Sequence, residues 1–230
     1  MPTARPYALL SCAVSLDGYL DDASDARLVL SNEADLDRVD GVRAGCDAIL
    51  VGANTIRRDD PRLLVRSPER RAERVRRGLP ESPVKVTLTI GGDLDPGSRF
   101  FTTGGVEKLV YCATPGLGKA RQRLGGVATV VDGGDPLAMP AVVADLGGRG
   151  VRRVMVEGGG GVLTRFLAAG LADELQLVVA PFLVGDSRAP RFVQDGAFPW
   201  TPAHPARLAD VSRIGEVVLL RYALSARYPG

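Results

Sequence analysis

The sequence predicts an α/β protein: a mostly parallel, partly mixed central sheet flanked by helices on both faces, folded as a single domain over residues 1–230. Three observations carry that prediction. Short, continuously apolar runs such as "CDAILVG" (46–52) recur along the chain, as strands buried on both faces do. Longer segments with helical spacing alternate with them, the pattern of strands joined by crossover helices. Glycines stand where two of the apolar runs end, at 52 and at 158–161, where such folds turn from strand into helix.

Taken in order, "YALLSCAVS" (7–15) reads as a strand. "SNEADLDRVDGVRAG" (31–45) reads as a helix capped by Ser31 or Asn32, with Leu36, Val39 and Val42 as its apolar positions. The strand 46–52 then runs into a Gly-x-Asn-Thr turn. "RSPERRAERVRRGLPESP" (66–83) is bounded by prolines and carries arginines at 66, 70, 71, 74, 76 and 77. It reads as a solvated surface helix, an insertion at about 67–83. Further strands are "VKVTLTI" (84–90), "EKLVYCA" (107–113), "VATVVD" (127–132), "VRRVMVEG" (151–158), "ELQLVVAPFLVG" (174–185) and "GEVVLLRYAL" (215–224). Helices fit at 136–149 and 162–171. No helical pattern separates the last two strands, so the sheet is expected to turn mixed at its C-terminal edge.

Composition narrows the function. Hydrophobic residues make up 45%, charged residues 24%, and the formal net charge is +2, an ordinary globular balance that gives no support to a nucleic-acid partner. Cys12, Cys46 and Cys112 lie far apart in apolar runs and read as buried free thiols, since zinc sites and disulfide frameworks need cysteines at short spacing. The one histidine, His204, stands in the proline-rich "PWTPAHPARL" and reads as a loop residue, which leaves a Ser-His-Asp or Cys-His nucleophile little to work with. There is no apolar run of about 18 residues, and the N-terminal apolar stretch is too short for a signal peptide. The expectation is a cytoplasmic protein without a membrane partner.

Ligands in open α/β sheets bind at the carboxyl ends of strands. Two segments stand there: "ILVGANTIRRDDPRLLVR" (49–66) and "VEGGGGVLTRF" (156–166). A strand–glycine–helix junction presents backbone N–H groups and the positive end of a helix dipole, which favour phosphate. The dinucleotide fingerprint G-x-G-x-x-G fails, because counting from Gly158 or Gly159 the sixth position is Leu163 or Thr164. No Gly-Lys-[Ser/Thr] follows, so a Walker A loop is excluded too. A helix N-terminus packed closely on the sheet is the bland alternative.

Taken jointly, "SLDGY" (15–19), "DAILVGANTIRRDDPRLLVR" (47–66) and "VEGGGGVLTRFLAAGLADELQLVVAPFLVG" (156–185) resemble the reductase domain of the riboflavin-pathway deaminase/reductases and the stand-alone reductases of that pathway. The resemblance covers about residues 7 to 224. It implies the dihydrofolate reductase fold, NADPH as cofactor, a phosphorylated small-molecule substrate, and a homodimer. It also implies residue roles. Gly158, Gly159, Gly160, Gly161, Val162 and Leu163 would lie against the cofactor pyrophosphate, with Gly52, Thr55 and Asp59 contacting the cofactor from the other segment. Arg43, Leu63, Arg66 and, nearby, Arg27 would line the substrate, which Glu157 would also meet. Glu157 and Asp59 are the candidates for holding the substrate amines and assisting proton transfer.

The implied reaction is NADPH-dependent reduction of a pyrimidine ribosylamine 5′-phosphate to its ribityl form, by hydride transfer to C1′. Three other readings stand beside it: a related reductase of a different pterin or nucleoside-type heterocycle, a non-catalytic nucleotide-binding module and, least favoured, an RNA-binding protein using 66–83. The chain departs from the family at Tyr19, where a lysine or arginine often follows Leu-Asp-Gly, at Val29, where a tryptophan is frequent, and in the arginine-rich insertion. The resemblance does not extend to a deaminase domain, so deamination is expected to fall to another chain or not to occur at all.

Overall fold

The apolar runs condense into nine strands, which the helices connect or flank, in a computed structural model that describes residues 5–24, 26 and 28–229. The strands stand in the order β5-β4-β3-β2-β6-β1-β7-β9-β8. This mixed α/β arrangement bears out the fold class expected from the sequence. The chain forms two compact units, one built mainly from Asp40–Met155 and the other from Tyr7–Val39 with the residues after Met155.

In the first unit, β2 (Ala48–Gly52), β3 (Val84–Thr89), β4 (Lys108–Cys112) and β5 (Thr129–Asp132) pair in parallel. Every residue of β2 is buried, which explains its unbroken apolar sequence. Ile49 and Val51 pack with Leu94, Phe100, Phe101 and Val110 into one cluster. Each fully buried large side chain of this kind contributes about 1.5–3 kcal/mol. A lysine is among the polar residues buried in this unit. Lys85 of β3 is fully buried, and its Nζ donates to Phe100 O at 2.9 Å and Thr103 O at 2.7 Å. It thereby caps carbonyls of the short helix α4 (Arg99–Thr102). Burial, with Lys108 nearby, pulls its pKa down to about 8.

In the second unit, β1 (Tyr7–Val14) runs parallel to β7 (Glu174–Val179), and β9 (Val217–Ala223) and β8 (Arg207–Ile214) follow antiparallel. The sheet is therefore mixed at its C-terminal edge, as expected. Two boundaries differ from the sequence reading. The strand expected over 174–185 stops at Val179, because Pro181 cannot continue a ladder and the chain turns there. The strand β8 falls where none was expected. It is an edge strand with mostly exposed side chains, so it lacks the apolar run that marks its neighbours.

Helix α1 (Glu33–Ala44) is capped by Asn32, whose Oδ1 accepts from Asp35 N at 3.0 Å. Its expected apolar face is only half-buried at Leu36, Val39 and Val42, while Asp35 and Asp40 are buried. Both carboxylates have partners. Asp35 accepts from Ser31 Oγ at 2.6 Å and Arg38 Nε at 2.7 Å, and Asp40 anchors a segment described below. The expected turn after Gly52 is instead a helix, α2 (Ala53–Asp59), held to its unit by buried Ile56. The insertion forms helix α3 (Pro68–Arg76), capped by Ser67 Oγ accepting from Arg70 N at 3.2 Å, yet it is not wholly solvated: Arg74 is buried. The helices expected at 136–149 and 162–171 are α6 (Met139–Gly148) and α7 (Gly160–Ala168); α5 (Leu117–Leu124) lies between β4 and β5. All three cysteines are free thiols, Cys46 and Cys112 buried and Cys12 half-buried. His204 is an exposed turn residue. Among the described residues no helix is long and apolar enough to cross a membrane.

Candidate active site

The first candidate segment grows out of β2. Gly52 closes the strand and is the N-cap of α2, with extended backbone (φ −77°, ψ 157°) and no side-chain cap. Thr55 and Asp59, four residues apart, share one face of α2, and both are half-buried. The helix ends abruptly. Asp60 adopts a left-handed conformation (φ 41°), and its carboxylate turns to Arg99, accepting from the backbone N at 2.6 Å and Nε at 2.9 Å. Asp60 therefore fixes the end of α2 to the start of α4. Leu63 is also left-handed (φ 48°) and only 3% exposed. For a residue with a bulky Cβ substituent that conformation costs roughly 1–2 kcal/mol. The burial of its side chain in the unit's core offsets the strain.

Arg66 follows on the same segment, and its position is set from α1. Asp40, 2% exposed, accepts from Arg66 N at 2.5 Å, Ser67 N at 3.1 Å and Arg70 Nη1 at 3.0 Å. Burial pushes the Asp40 carboxyl up, but these hydrogen bonds outweigh it and leave the pKa below its ordinary value. The Arg66 side chain itself is 55% exposed and pairs loosely with Asp40, Nε to Oδ1 at 3.9 Å. Arg43, in the last turn of α1, donates from Nη1 to Leu64 O at 3.4 Å. The structure thus brings Thr55, Asp59, Leu63, Arg66 and Arg43 onto one unit. Arg27 lies outside the described residues.

The second segment grows out of β6 (Arg153–Gly158). Val154, Met155 and Val156 are fully buried, and Glu157 is half-buried at the strand's end. Gly158 has φ 108°, a conformation that a side chain would strain. Helix α7 begins inside the glycine run, two residues earlier than expected, with Gly159 as an N-cap that has no side chain to offer. Val162 N and Leu163 N donate to Gly159 O at 2.9 and 3.1 Å, and the side chains of both residues are buried. The first-turn N–H groups of Gly160 and Gly161 have no protein acceptor among the described residues. They are oriented for an anion at the positive end of the helix.

The glycines are required by a close approach. A Cβ on Gly160 would stand 2.5 Å from Arg191 O. The segment bearing that oxygen is tied down on several sides: Leu20 N donates to Pro190 O at 2.8 Å, Phe192 N to Gly18 O at 3.0 Å, and Gln194 N to Thr164 Oγ1 at 2.9 Å. The Arg191 guanidinium lies 4.6 Å over the ring of Tyr19 and donates to its hydroxyl at 3.0 Å. Sequence reasoning passed over Arg191, because its contacts are with residues far away in the chain.

The "SLDGY" turn is explained by the same construction. Asp17 accepts from Ser15 Oγ at 2.5 Å, Gly185 N at 2.8 Å and Val184 N at 3.1 Å. The Ser15 hydrogen bond above all lowers its pKa to about 2. Gly18 supplies the positive φ of 85° that closes the turn. Asp17 is therefore a clamp between two loops.

Similarity to known proteins runs over nearly the whole chain. The model of the RibD C-terminal domain family matches residues 6–220. A 2,5-diamino-6-ribosylamino-4(3H)-pyrimidinone 5′-phosphate reductase of Archaeoglobus fulgidus is 31% identical over 224 residues, 97% of this chain and 99% of that one. A protein of the same name from Methanothermobacter thermautotrophicus is 29% identical over 221 residues, 96% and 99% of the two chains. Among solved structures, a pyrimidine reductase-like protein of Corynebacterium diphtheriae superposes with a TM-score of 0.81 at 22% identity, covering 95% of this chain and 91% of that one, and so shares the fold.

Proposed function

The chain belongs to the RibD C-terminal domain family, and from that premise we propose that it is an NADPH-dependent reductase of a pyrimidine ribosylamine 5′-phosphate, forming the ribityl product. The observation that carries this reading is the end-to-end match to reductases of that substrate, with the motif residues standing at the carboxyl ends of β2 and β6. The free first-turn amides of Gly160 and Gly161 fit the pyrophosphate of a nicotinamide dinucleotide, and Thr55 and Asp59 supply polar contacts from α2. When bound, that cofactor supplies the hydride delivered to C1′ of the opened sugar.

The protein's own task is alignment and electrostatics. Glu157 or Asp59 holds the substrate amines and assists the transfer of the proton that balances the hydride, or a water delivers it. Arg66, with Arg43 beside it in the chain's first unit, neutralises the 5′-phosphate. Leu63, buried in its unit's core, shapes the segment that carries Arg66. Dimerisation in solution is part of the proposal: the edge strand β8 leaves Leu208 and Val211 exposed, as a strand covered by a second copy would.

The test is to mix the pure protein with NADPH and each phosphoribosylamino-pyrimidine, deaminated or not, and follow loss of the reduced-nicotinamide absorbance. Oxidation with at least one of them is expected. Oxidation with none overturns the assignment. Arg66→Ala should raise KM for the phosphorylated substrate by about tenfold or more, the worth of a charge-assisted contact, and leave NADPH affinity unchanged. Unaltered kinetics would remove Arg66 from the site.

A further inference from the structure

The arginine-rich insertion has no part in the proposed reaction, and it builds something else. Helix α3 turns Arg74 inward, 2% exposed, where Nε donates to Pro80 O and Nη1 to both Ala44 O and Cys46 O, each at 2.8 Å. A buried guanidinium satisfied by carbonyls keeps its full charge, and Arg74 makes no ion pair among the described residues. Burial pulls its pKa down against the opposing charge of Asp47, and Arg77 adds a little to the fall. Arg74 lines a cavity of about 190 Å³ together with Arg77, Arg152, Arg153 and Asp47.

The lining includes the arginines Arg74, Arg77, Arg152 and Arg153 and the carboxylate of Asp47. Oδ2 of that carboxylate already accepts from Arg152 N and Arg153 N, both at 2.9 Å. The Arg77 and Arg152 side chains are exposed at the rim and make no ion pair among the described residues. Such a lining excludes a cation and an apolar ligand. It contains no aromatic ring on which a base could stack, which disfavours single-stranded nucleic acid. A recess lined by several arginines suits an anion, and the planar fork of a guanidinium matches the oxygens of a phosphate.

We propose that the cavity between α3 and the amino ends of β2 and β6 binds a phosphate group, as free phosphate or as the phosphate of a small monoester. The site is separate from the proposed active site. Arg153 opens β6 at the cavity and Gly158 closes it at the glycine loop, five residues or roughly 17 Å along the strand. β2 likewise runs from Asp47 at the cavity to Gly52.

The experiment titrates the full chain with inorganic phosphate and, separately, with ribose 5-phosphate, by calorimetry at low salt. It uses the Arg66→Ala background with the cofactor site saturated by NADPH, so that phosphate binding at the proposed active site is reduced and the Arg77 and Arg152 variants report on the cavity alone. Arg77→Ala with Arg152→Ala should weaken binding by about tenfold per arginine removed, with an unchanged melting curve; the single Arg77→Gln and Arg152→Gln variants serve if the pair does not fold. Tighter binding of ribose 5-phosphate identifies a monoester site, and equal binding identifies a site for phosphate itself. The proposal is overturned if neither probe binds at millimolar concentration, or if the arginine variants bind as well as the parent. It is equally overturned if a single-stranded RNA binds the same arginines far more tightly, with a steep salt dependence.

Discussion

Gly160 and Gly161 are neighbours in the first turn of α7, both with backbone that any residue adopts, and their replacement by alanine should have opposite effects. A Cβ at Gly161 would meet only Gln194 Oε1 at 3.6 Å, an ordinary contact with the tip of a flexible side chain. A Cβ at Gly160 would stand 2.5 Å from Arg191 O, with Phe192 O and Leu20 Cδ1 at 3.6 Å behind it. That is about 1 Å short of even a close C–H···O contact of ~3.3–3.6 Å. The obstructing atom is backbone, and hydrogen bonds at Pro190, Phe192 and Gln194 hold its segment in place, so relief requires moving the segment. Overpacking of this kind costs about 1–3 kcal/mol. Gly161→Ala instead gains up to about 1 kcal/mol from helix propensity. In a chain of this length 1 kcal/mol shifts Tm by about 2–4 °C, so Gly160→Ala should melt about 2–12 °C lower and Gly161→Ala no lower than the parent. Differential scanning calorimetry reads both. Because Gly160 offers one of the free first-turn amides, NADPH affinity should also fall in Gly160→Ala, measured by fluorescence titration. If Gly160→Ala proves as stable as Gly161→Ala, the close approach of Arg191 is wrong, and so is the account of the glycine run built on it.

Two further predictions concern buried charge. Lys85 titrates at about 8 in the folded chain against an ordinary value of 10.5, so between those values the unfolded chain holds a proton that the folded chain has released. Stability from this residue therefore rises with pH across that window, by at most about 1.4 kcal/mol per unit. The melting profile of Lys85→Met should lack the rise relative to the parent, and parallel profiles would refute the assignment. Asp40 has linkage of the same sign, in the acid range. Its carboxyl is held below 3.8, so its contribution is complete above that pH and is lost as the pH falls through the lower folded value. Asp40→Ala leaves the Arg66 and Ser67 amides and the Arg70 guanidinium without their acceptor and should cost about 3–5 kcal/mol in urea unfolding at neutral pH; a loss under 1 kcal/mol would mean that the segment is held by something else.

What could be read from the sequence, and what could not, divides by the range of the interactions involved. The parallel strands were legible because burial on both faces leaves an unbroken apolar run, as in β2, and the glycine junction was legible because four glycines in a row demand a cause. Strand β8 escaped because an exposed edge carries no such run. Helix α2 escaped because "GANTIRRDD" is rich in turn residues, and a short helix of that kind is stable only through the buried Ile56. The left-handed Leu63 had no local signal at all, since glycine or asparagine would be expected at φ 48°.

Asp40 is the most instructive case. On the helix pattern it belongs to the polar face, and its burial depends on partners at 66, 67 and 70 that the sequence places within an apparent surface insertion. Motif spacing finds a side chain that touches a ligand, but not the one that aims it. If Arg66 meets the substrate phosphate, its aim comes from Asp40 through the Arg66 amide. Asp40→Asn, which keeps one acceptor oxygen and loses the charge, should then raise KM for the phosphorylated substrate while leaving NADPH affinity intact. A purely structural role for Asp40 would lower stability and active-enzyme yield without changing KM.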